Sequence, residues 1–442
     1  MNEPSISKQT LTSEPDHEAM ARSLDAPDTK PESAKDASRL GMSINRFCRR
    51  KVLERISSLT RGQMTLIDQD GRYTLDGSDS ISAEVIIHDL RFWRMMATGG
   101  SVGAGEAYVA GLWDSPDLTA VIRVLARNRE LLSRMEQGAA WLSRIPLAWL
   151  HRLNRNSVDG SRKNISAHYD LGNDFFAHWL DQRMQYSSAW FQSSSDSLDQ
   201  AQEQKLSRIA ERLELGPEDH LLEIGTGWGG LAIYMASTTG CKVTTTTISR
   251  QQYDYASQRI RQAGLEDRIE LLLQDYRELS GEYDKLVSVE MIEAVGADFL
   301  DTYLKIIEQR LKPNGLALVQ AITIEDFRYA GALKRVDFIQ RYIFPGSFIP
   351  SLTAIVNSMA RGTDMTLIDL HDMGGSYART LACWHQRFEL AWPEIQQSTA
   401  FDEVFRRRWR FYLNYCEGGF RERAISDQQL LFARPDYVSA AG

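Results

Sequence analysis

Cysteine is scarce in this 442-residue sequence: only Cys48, Cys241, Cys383 and Cys416 occur, widely spaced and with no C-x-x-C pair. That excludes a zinc clip or a disulfide frame as the organising device, predicts no metal site, and fits a reducing cytoplasm. There is no N-terminal apolar h-region and no apolar run long enough to span a bilayer, so a cytoplasmic chain is expected. No Tyr-x-x-x-Lys pair occurs, so one common hydride-transfer constellation is missing. Positive charge is in deficit: 51 Lys and Arg against 59 Asp and Glu, a formal charge of -8, argue against a nucleic-acid partner. What remains is a globular composition, 43% apolar and 25% charged, with length enough for two domains.

The most informative stretch is Leu221-Leu222-Glu223-Ile224-Gly225-Thr226-Gly227-Trp228-Gly229-Gly230, continuing through Ala236. It reads as a buried strand, a glycine turn and the first turns of a helix, where the absence of Cβ atoms lets backbone approach a nucleotide. Gly225, Gly227 and Gly230 also satisfy the G-x-G-x-x-G of dinucleotide binders, so the glycines alone do not decide the cofactor. A dinucleotide site places an acid about 20 residues on to hold the ribose. Here the following strand, Lys242 to Ser249, ends without one, and the acid sits early, as Glu223. A carboxylate there suits a cation, and S-adenosylmethionine carries both an ammonium and a sulfonium. A methyltransferase is therefore favoured over a dinucleotide enzyme or a purely structural turn.

Residues 1–44 are rich in Ser, Asp, Glu, Lys and Pro and predict a disordered tail. Residues 45–145 predict a small N-terminal α+β domain, with a strand at Ser82 to Asp89 and a helix at Asp117 to Leu125 capped by Asp117. Between them Gly99 to Tyr108 reads as a glycine-rich packing turn entering a helix; it lacks the Gly-Lys-Ser/Thr of a phosphate loop. A basic connector is expected at 146–165. From 166 to 435 strands alternate with amphipathic helices: a helix at Gln251 to Ala263, strands at Ile269 to Leu273 and Lys285 to Val289, a helix at Phe299 to Leu311, and a strand at Leu316 to Gln320. That order predicts an α/β fold, a doubly wound, Rossmann-like parallel sheet with helices on both faces.

Several separated motifs then combine: His168-Tyr169-Asp170-Leu171-Gly172-Asn173-Asp174-Phe175-Phe176, Met184-Gln185-Tyr186-Ser187-Ser188-Ala189, the glycine turn, Thr247 to Gln252, Gln274 to Arg277, Glu290-Met291-Ile292-Glu293-Ala294-Val295-Gly296, Tyr342 to Gly346 and Tyr412 to Cys416. On these the chain resembles the cyclopropane-fatty-acyl-phospholipid synthase family of S-adenosylmethionine-dependent methyltransferases, from about residue 45 to 435. The resemblance implies methylene addition across a cis double bond of an acyl chain esterified in phospholipid. The alkene takes the sulfonium methyl, and a base removes a proton from the new methyl as the ring closes. Such chemistry needs aligned reactants, aromatic faces near the cation and a base held in place.

Carried over by position, Tyr186, Ser187, Gly225, Gly227, Gly229, Thr247, Gln252, Tyr276 and Arg277 are implied cofactor contacts, beside Glu223. His168, Tyr169 and Phe344 are implied lid or substrate residues. Family members hold a bicarbonate ion as the base; the matching positions are Ser188, Glu293, Gln320, Ile322 and Tyr377. Serine stands where the family has cysteine and glutamine where it has histidine, so hydroxyl and amide donors remain but a titratable proton is lost. Cys416 matches a cysteine once regarded as a nucleophile, a role the mechanism does not need. Two arginine-rich runs, Arg46 to Arg55 and Arg406 to Arg410, are candidate headgroup contacts for transient, peripheral association with the inner face of the membrane. Family members are commonly dimers, so a homodimer is the implied assembly. The rivals are a methyl-branched or methylenated product, a non-catalytic lipid-binding homologue, and a nicotinamide-dependent oxidoreductase.

Overall fold

The computed structural model describes residues 39–129 and 171–439. The expected connector at 146–165, with His168 and Tyr169, lies outside them, as does the tail up to residue 38. The tail's expected boundary at residue 44 falls inside a helix, α1 (Arg39–Ile56). There follow β1 (Gln63–Asp68), β2 (Gly71–Asp76), β3 (Ser82–Ile87), α2 (Arg91–Val109), β4 (Trp113–Asp114) and α3 (Leu118–Arg127). The four strands form a sheet in the order β2-β1-β3-β4. Asp117 caps α3 as expected, its carboxylate accepting the Ala120 N–H at 2.8 Å. The glycine-rich segment enters a helix as expected: α2 is broken by non-helical backbone at Gly100 (φ 59°), and its second half runs on from there. Its glycines do serve packing, since a Cβ on Gly103 would stand 2.1 Å from the Met95 carbonyl oxygen.

The second half runs α4 (Asn173–Ala177), α5 (Leu198–Arg212), β5 (His220–Ile224), α6 (Gly230–Thr239), β6 (Lys242–Thr247), α7 (Arg250–Gln262), β7 (Ile269–Leu273), β8 (Tyr283–Val289), α8 (Leu300–Arg310), β9 (Leu311–Ile324), α9 (Asp326–Ala332), α10 (Phe338–Tyr342), α11 (Leu352–Gly362), β10 (Thr366–Asp372), α12 (Gly374–Ile395), α13 (Glu403–Arg421) and β11 (Ile425–Ala433). Seven strands form one sheet, β10-β11-β9-β8-β5-β6-β7. β5 to β9 are parallel, but β11 pairs antiparallel with both β9 and β10, so the sheet is mixed rather than all parallel. Alternation in the strands builds two cores. Leu222, Leu286, Val319 and Leu430 pack with α8 and α11 on one face. Leu221, Val287, Leu318 and Leu431 pack with α5 and α6 on the other. This is the doubly wound α/β arrangement.

A third apolar cluster joins the small sheet to the large one, running from Val52, Met64 and Val85 through Trp93 and Tyr108 to Trp384, Trp409 and Phe411. The described residues form one compact unit. The chain leaves β5 for β6 and β7 on one side and returns to β8 on the other. The β5/β8 junction is therefore the topological switch point, where ligand crevices open at strand C-termini.

Candidate active site

A cavity of about 1660 Å³ opens at that switch point. It is lined at one end by Glu223, Gly225, Gly227, Thr247, Gln252 and Tyr276. In the middle it is lined by Tyr186, Glu290, Glu293, Ile322, Phe344 and Tyr377, and at the far end by Met64, Leu66, Val85 and Trp93 of the small sheet and α2. It is thus polar beside the glycine turn and apolar towards the N-terminal sheet.

At the polar end the turn holds Gly225, Gly227 and Gly229 at φ values of 104°, 54° and 81°, a left-handed path that L side chains resist. Glu223 is 3% exposed, and its carboxylate accepts one hydrogen bond, from the Thr245 hydroxyl at 2.6 Å. Burial pushes its pKa up to about 8. Thr247 donates to Gln252 Oε1 at 2.9 Å and orients that amide. The Tyr276 hydroxyl is buried without a hydrogen-bond partner, and burial pushes its pKa up to about 12. A carboxylate short of donors, an orphaned phenol and a Cβ-free turn make a donor set suited to a cationic nucleoside. S-adenosylmethionine fits it. Arg277 differs from expectation: it does not line the cavity but chelates Asp275, at 2.8 and 2.7 Å, and Asp275 is itself a lining residue. Arg277 therefore acts on the cavity through its neighbour.

In the middle, the residues aligned with a bicarbonate site do converge, but on a carboxylate of the chain itself. Glu290 follows β8 at φ 49°. Its Oε1 accepts from the Ser188 N–H at 2.7 Å and from Gln320 Nε2 at 2.9 Å, and its Oε2 from the Tyr377 hydroxyl at 2.6 Å. The Ser188 hydroxyl is not aimed there; it donates to the Ala189 carbonyl, so this position contributes only its backbone N–H. The glutamine at 320 gives one N–H to Glu290 and one to Asp427, a double donation to two carboxylates. Glu293 accepts the Ile322 N–H at 2.5 Å, and its other oxygen is buried without a partner. Burial first, and the Glu290 charge second, push Glu293 up to about 8. Burial, then Glu290 and Glu293, push Asp427 well above the usual range. Burial also raises Glu290, against the pull of its three donors. Three carboxyls this close do not all ionise, and the one with three donors is the natural seat of the charge.

Aromatic rings surround this centre. Tyr186 lies 5.4 Å from Trp384 and 6.2 Å from Phe344 between centroids, its hydroxyl 3.0 Å from that of Tyr412, and Tyr377 stacks on Phe420 at 4.3 Å. The Ser187 hydroxyl accepts from buried Lys205 at 2.7 Å; burial lowers that lysine's pKa to about 8. Cys416 also lines the cavity, but burial pushes its thiol far up, so it is an apolar wall rather than a thiolate nucleophile. Glu290, Asp427 and Lys205 were not singled out by sequence. For Glu290 a signal existed: two glutamates three apart, directly after the apolar strand Val287 to Val289.

The basic runs divide. Arg406 and Arg410 pair with Glu389, Arg407 pairs with Asp114, and Arg408 is buried, so this run braces the interior and is no surface patch. On α1, Arg46 pairs with Asp70, Arg49 with Asp68 and Lys51 with Glu54.

The model of the family described as mycolic acid cyclopropane synthetase matches residues 156–430. The chain belongs to this family. It is 37% identical over 379 residues to tuberculostearic acid methyltransferase UfaA1 of Mycobacterium tuberculosis, covering 84% of this chain and 88% of that protein. It is 37% identical over 363 residues to cyclopropane-fatty-acyl-phospholipid synthase of Escherichia coli K12, covering 80% of this chain and 89% of that one. Among solved structures it is similar to mycolic acid cyclopropane synthase CmaA1 complexed with SAH and CTAB: TM-score 0.57, 26% identity, 62% of this chain and 98% of that one. The protein is thus an S-adenosylmethionine-dependent methyltransferase acting on lipid. No helix among the described residues is long and apolar enough to cross a membrane.

Proposed function

We propose that the enzyme adds one carbon across a cis double bond of a phospholipid acyl chain and forms a cyclopropane ring. The observation that supports this reading is the continuity of the cavity, from the glycine turn, past a ring of aromatic faces and a held carboxylate, into an apolar channel against the N-terminal sheet. Glu223, the 225–229 turn, Thr247, Gln252 and Tyr276 would hold S-adenosylmethionine, which when bound supplies an electrophilic methyl group. The apolar walls hold the acyl chain extended and exclude water, which would otherwise trap a carbocation. Tyr186, Phe344, Tyr377 and Tyr412 offer π faces that stabilise positive charge without reacting.

Entry from the bilayer is assigned to the segment 326–335. Phe327 is 79% exposed and Leu333 43% exposed, Lys334 and Arg335 follow, and all four border the cavity. Apolar side chains flanked by cations suit contact with an anionic membrane surface. This transient contact at the inner face of the membrane replaces the Arg406 to Arg410 run as the docking element. A homodimer is the expected assembly.

A second reading is a methylenated or methyl-branched chain; the UfaA1 relative is named a methyltransferase and not a cyclopropane synthase. A methylene and a cyclopropane both retain one CH2 and have the same mass. The test is incubation with methyl-labelled S-adenosylmethionine and vesicles of cis-unsaturated phospholipid, followed by fragmentation and NMR of the released acyl chains. Ring carbons support the first reading, an exocyclic methylene or a methyl branch the second. Absence of label in lipid sinks both.

A further inference from the structure

Bicarbonate, the base implied by the family resemblance, does not fit this chain. Of its expected partners, the Gln320 side chain and the Tyr377 hydroxyl are already taken by the Glu290 carboxylate, at 2.9 and 2.6 Å, as is the Ser188 backbone N–H at 2.7 Å, and the Ser188 hydroxyl donates to the Ala189 carbonyl instead. Glu290 is held from both oxygens, and Gln320 is itself fixed from behind by Asp427 and by Gln429, whose Nε2 donates to Gln320 Oε1 at 3.1 Å. Glu290 is half-buried and lines the cavity, as do Tyr186, Phe344 and Tyr377.

We propose that Glu290 is the built-in general base, a carboxylate supplied by the chain where the family holds a free ion. The proposal rests on the alkylation reading above. After the methyl group has joined the alkene, the acyl chain carries one positive charge and one hydrogen too many. The proton leaves the newly added carbon for a Glu290 oxygen, and the C–H electron pair forms the bond that closes the ring and cancels the charge. Glu290 then returns the proton to solvent through the cavity it borders. The Gln320 departure follows from the same change: an attached carboxylate needs a fixed N–H donor that never titrates, and the side-chain amide supplies one. The Ser188 donor is its backbone N–H, which cysteine would supply equally.

Two variants separate the outcomes. Glu290→Gln keeps the shape and removes the base; turnover should fall by about 10²- to 10⁴-fold, with S-adenosylhomocysteine affinity unchanged. Glu290→Gly suits the positive φ at this position and frees the three donors. It should bind ¹³C-labelled bicarbonate saturably by NMR titration and regain turnover as bicarbonate is added. Wild type should do neither: its rate in CO2-free buffer should equal its rate with bicarbonate. Saturable bicarbonate binding by wild type, a bicarbonate-dependent wild-type rate, or a Glu290→Gln variant within a few-fold of wild type would each overturn the proposal. The titration needs no lipid. If wild type alkylates no lipid at all, the functional reading fails, while the titration still decides whether Glu290 holds the ion's place.

Discussion

Glu223 and Glu290 stand at the C-terminal ends of adjacent parallel strands, β5 and β8, and meet the same cavity in opposite conditions. Glu223 is almost wholly buried with a single hydroxyl donor, and burial holds its pKa near 8. Glu290 has three donors on its two oxygens. One carboxyl lacks a partner that only a ligand can bring. The other is complete before any ligand arrives. The contrast separates binding from chemistry: the first site gains its charge when a cation enters, and the second carries its charge in advance and spends it on a proton.

Removing a donor from the complete site should hurt turnover and spare binding. Tyr377→Phe deletes the hydroxyl on Glu290 Oε2, a charge-assisted hydrogen bond of about 1.5–3 kcal/mol. The kcat should fall by roughly 10- to 100-fold, with the S-adenosylhomocysteine dissociation constant unmoved in calorimetry. A weakened dissociation constant with normal kcat would place Tyr377 at the cofactor instead. Glu223→Gln should do the reverse. The ion pair it removes is strong, but part of that strength goes into deprotonating a carboxyl whose pKa is near 8, so the net loss of affinity should be about 10- to 30-fold. Unchanged affinity would mean that no ligand ammonium reaches Glu223.

The same carboxyl sets a pH dependence. In the ligand-free protein Glu223 holds its proton below about pH 8; a bound ammonium favours the ionised form, so binding releases a proton. Affinity for S-adenosylhomocysteine should therefore rise with pH, close to tenfold between pH 6 and 7, and the slope should vanish in Glu223→Gln. Ligand-free stability runs the other way. A carboxyl whose folded pKa is raised contributes stability at acid pH that is lost as pH climbs from the ordinary carboxylate range to about 8. Glu293, also near 8, adds to that loss. Thermal midpoints with and without ligand should consequently diverge as pH rises from 6 to 8.

Sequence exposed the cofactor end better than the acceptor end, for a physical reason. The glycine turn, Glu223, Thr247, Gln252 and Tyr276 sit in local strand-turn-helix units whose spacing is visible along the chain. The alternating order of strands and helices likewise announced a sheet covered on both faces, and Leu222 and Leu286 do pack on one side with Leu221 and Val287 on the other. The acceptor centre is assembled from segments far apart: Ser188, Glu290, Gln320, Tyr377 and Asp427 meet only through the order β11-β9-β8 and the packing of α12 on β11. The antiparallel insertion of β11 was equally hidden, because its residues alternate like those of any buried strand. Position-by-position transfer found the residues around the ion site but not the carboxylate that fills it. The arginine run at 406–410 misled because charge along a sequence does not reveal that Glu389 and Asp114 face it.

The smallest expected effect concerns how lipid reaches the two carboxylates. Phe327 and Phe47 are both exposed aromatic side chains, 79% and 54%, but only Phe327 borders the cavity. If the 326–335 segment admits acyl chains from the bilayer, Phe327→Ser should weaken vesicle binding in flotation assays by roughly 10-fold, the worth of about 1.5 kcal/mol of apolar burial. Phe47→Ser should leave it unchanged. Lys334→Gln should cost about fivefold on anionic vesicles at low salt and nothing at high salt, where the surface potential is screened. Neither Phe327→Ser nor Lys334→Gln should alter turnover on detergent-dispersed lipid, because neither touches Glu223 or Glu290. Equal losses for Phe327→Ser and Phe47→Ser would instead mean that the membrane meets α1 as closely as the cavity mouth, and that lipid enters from the side of the N-terminal sheet.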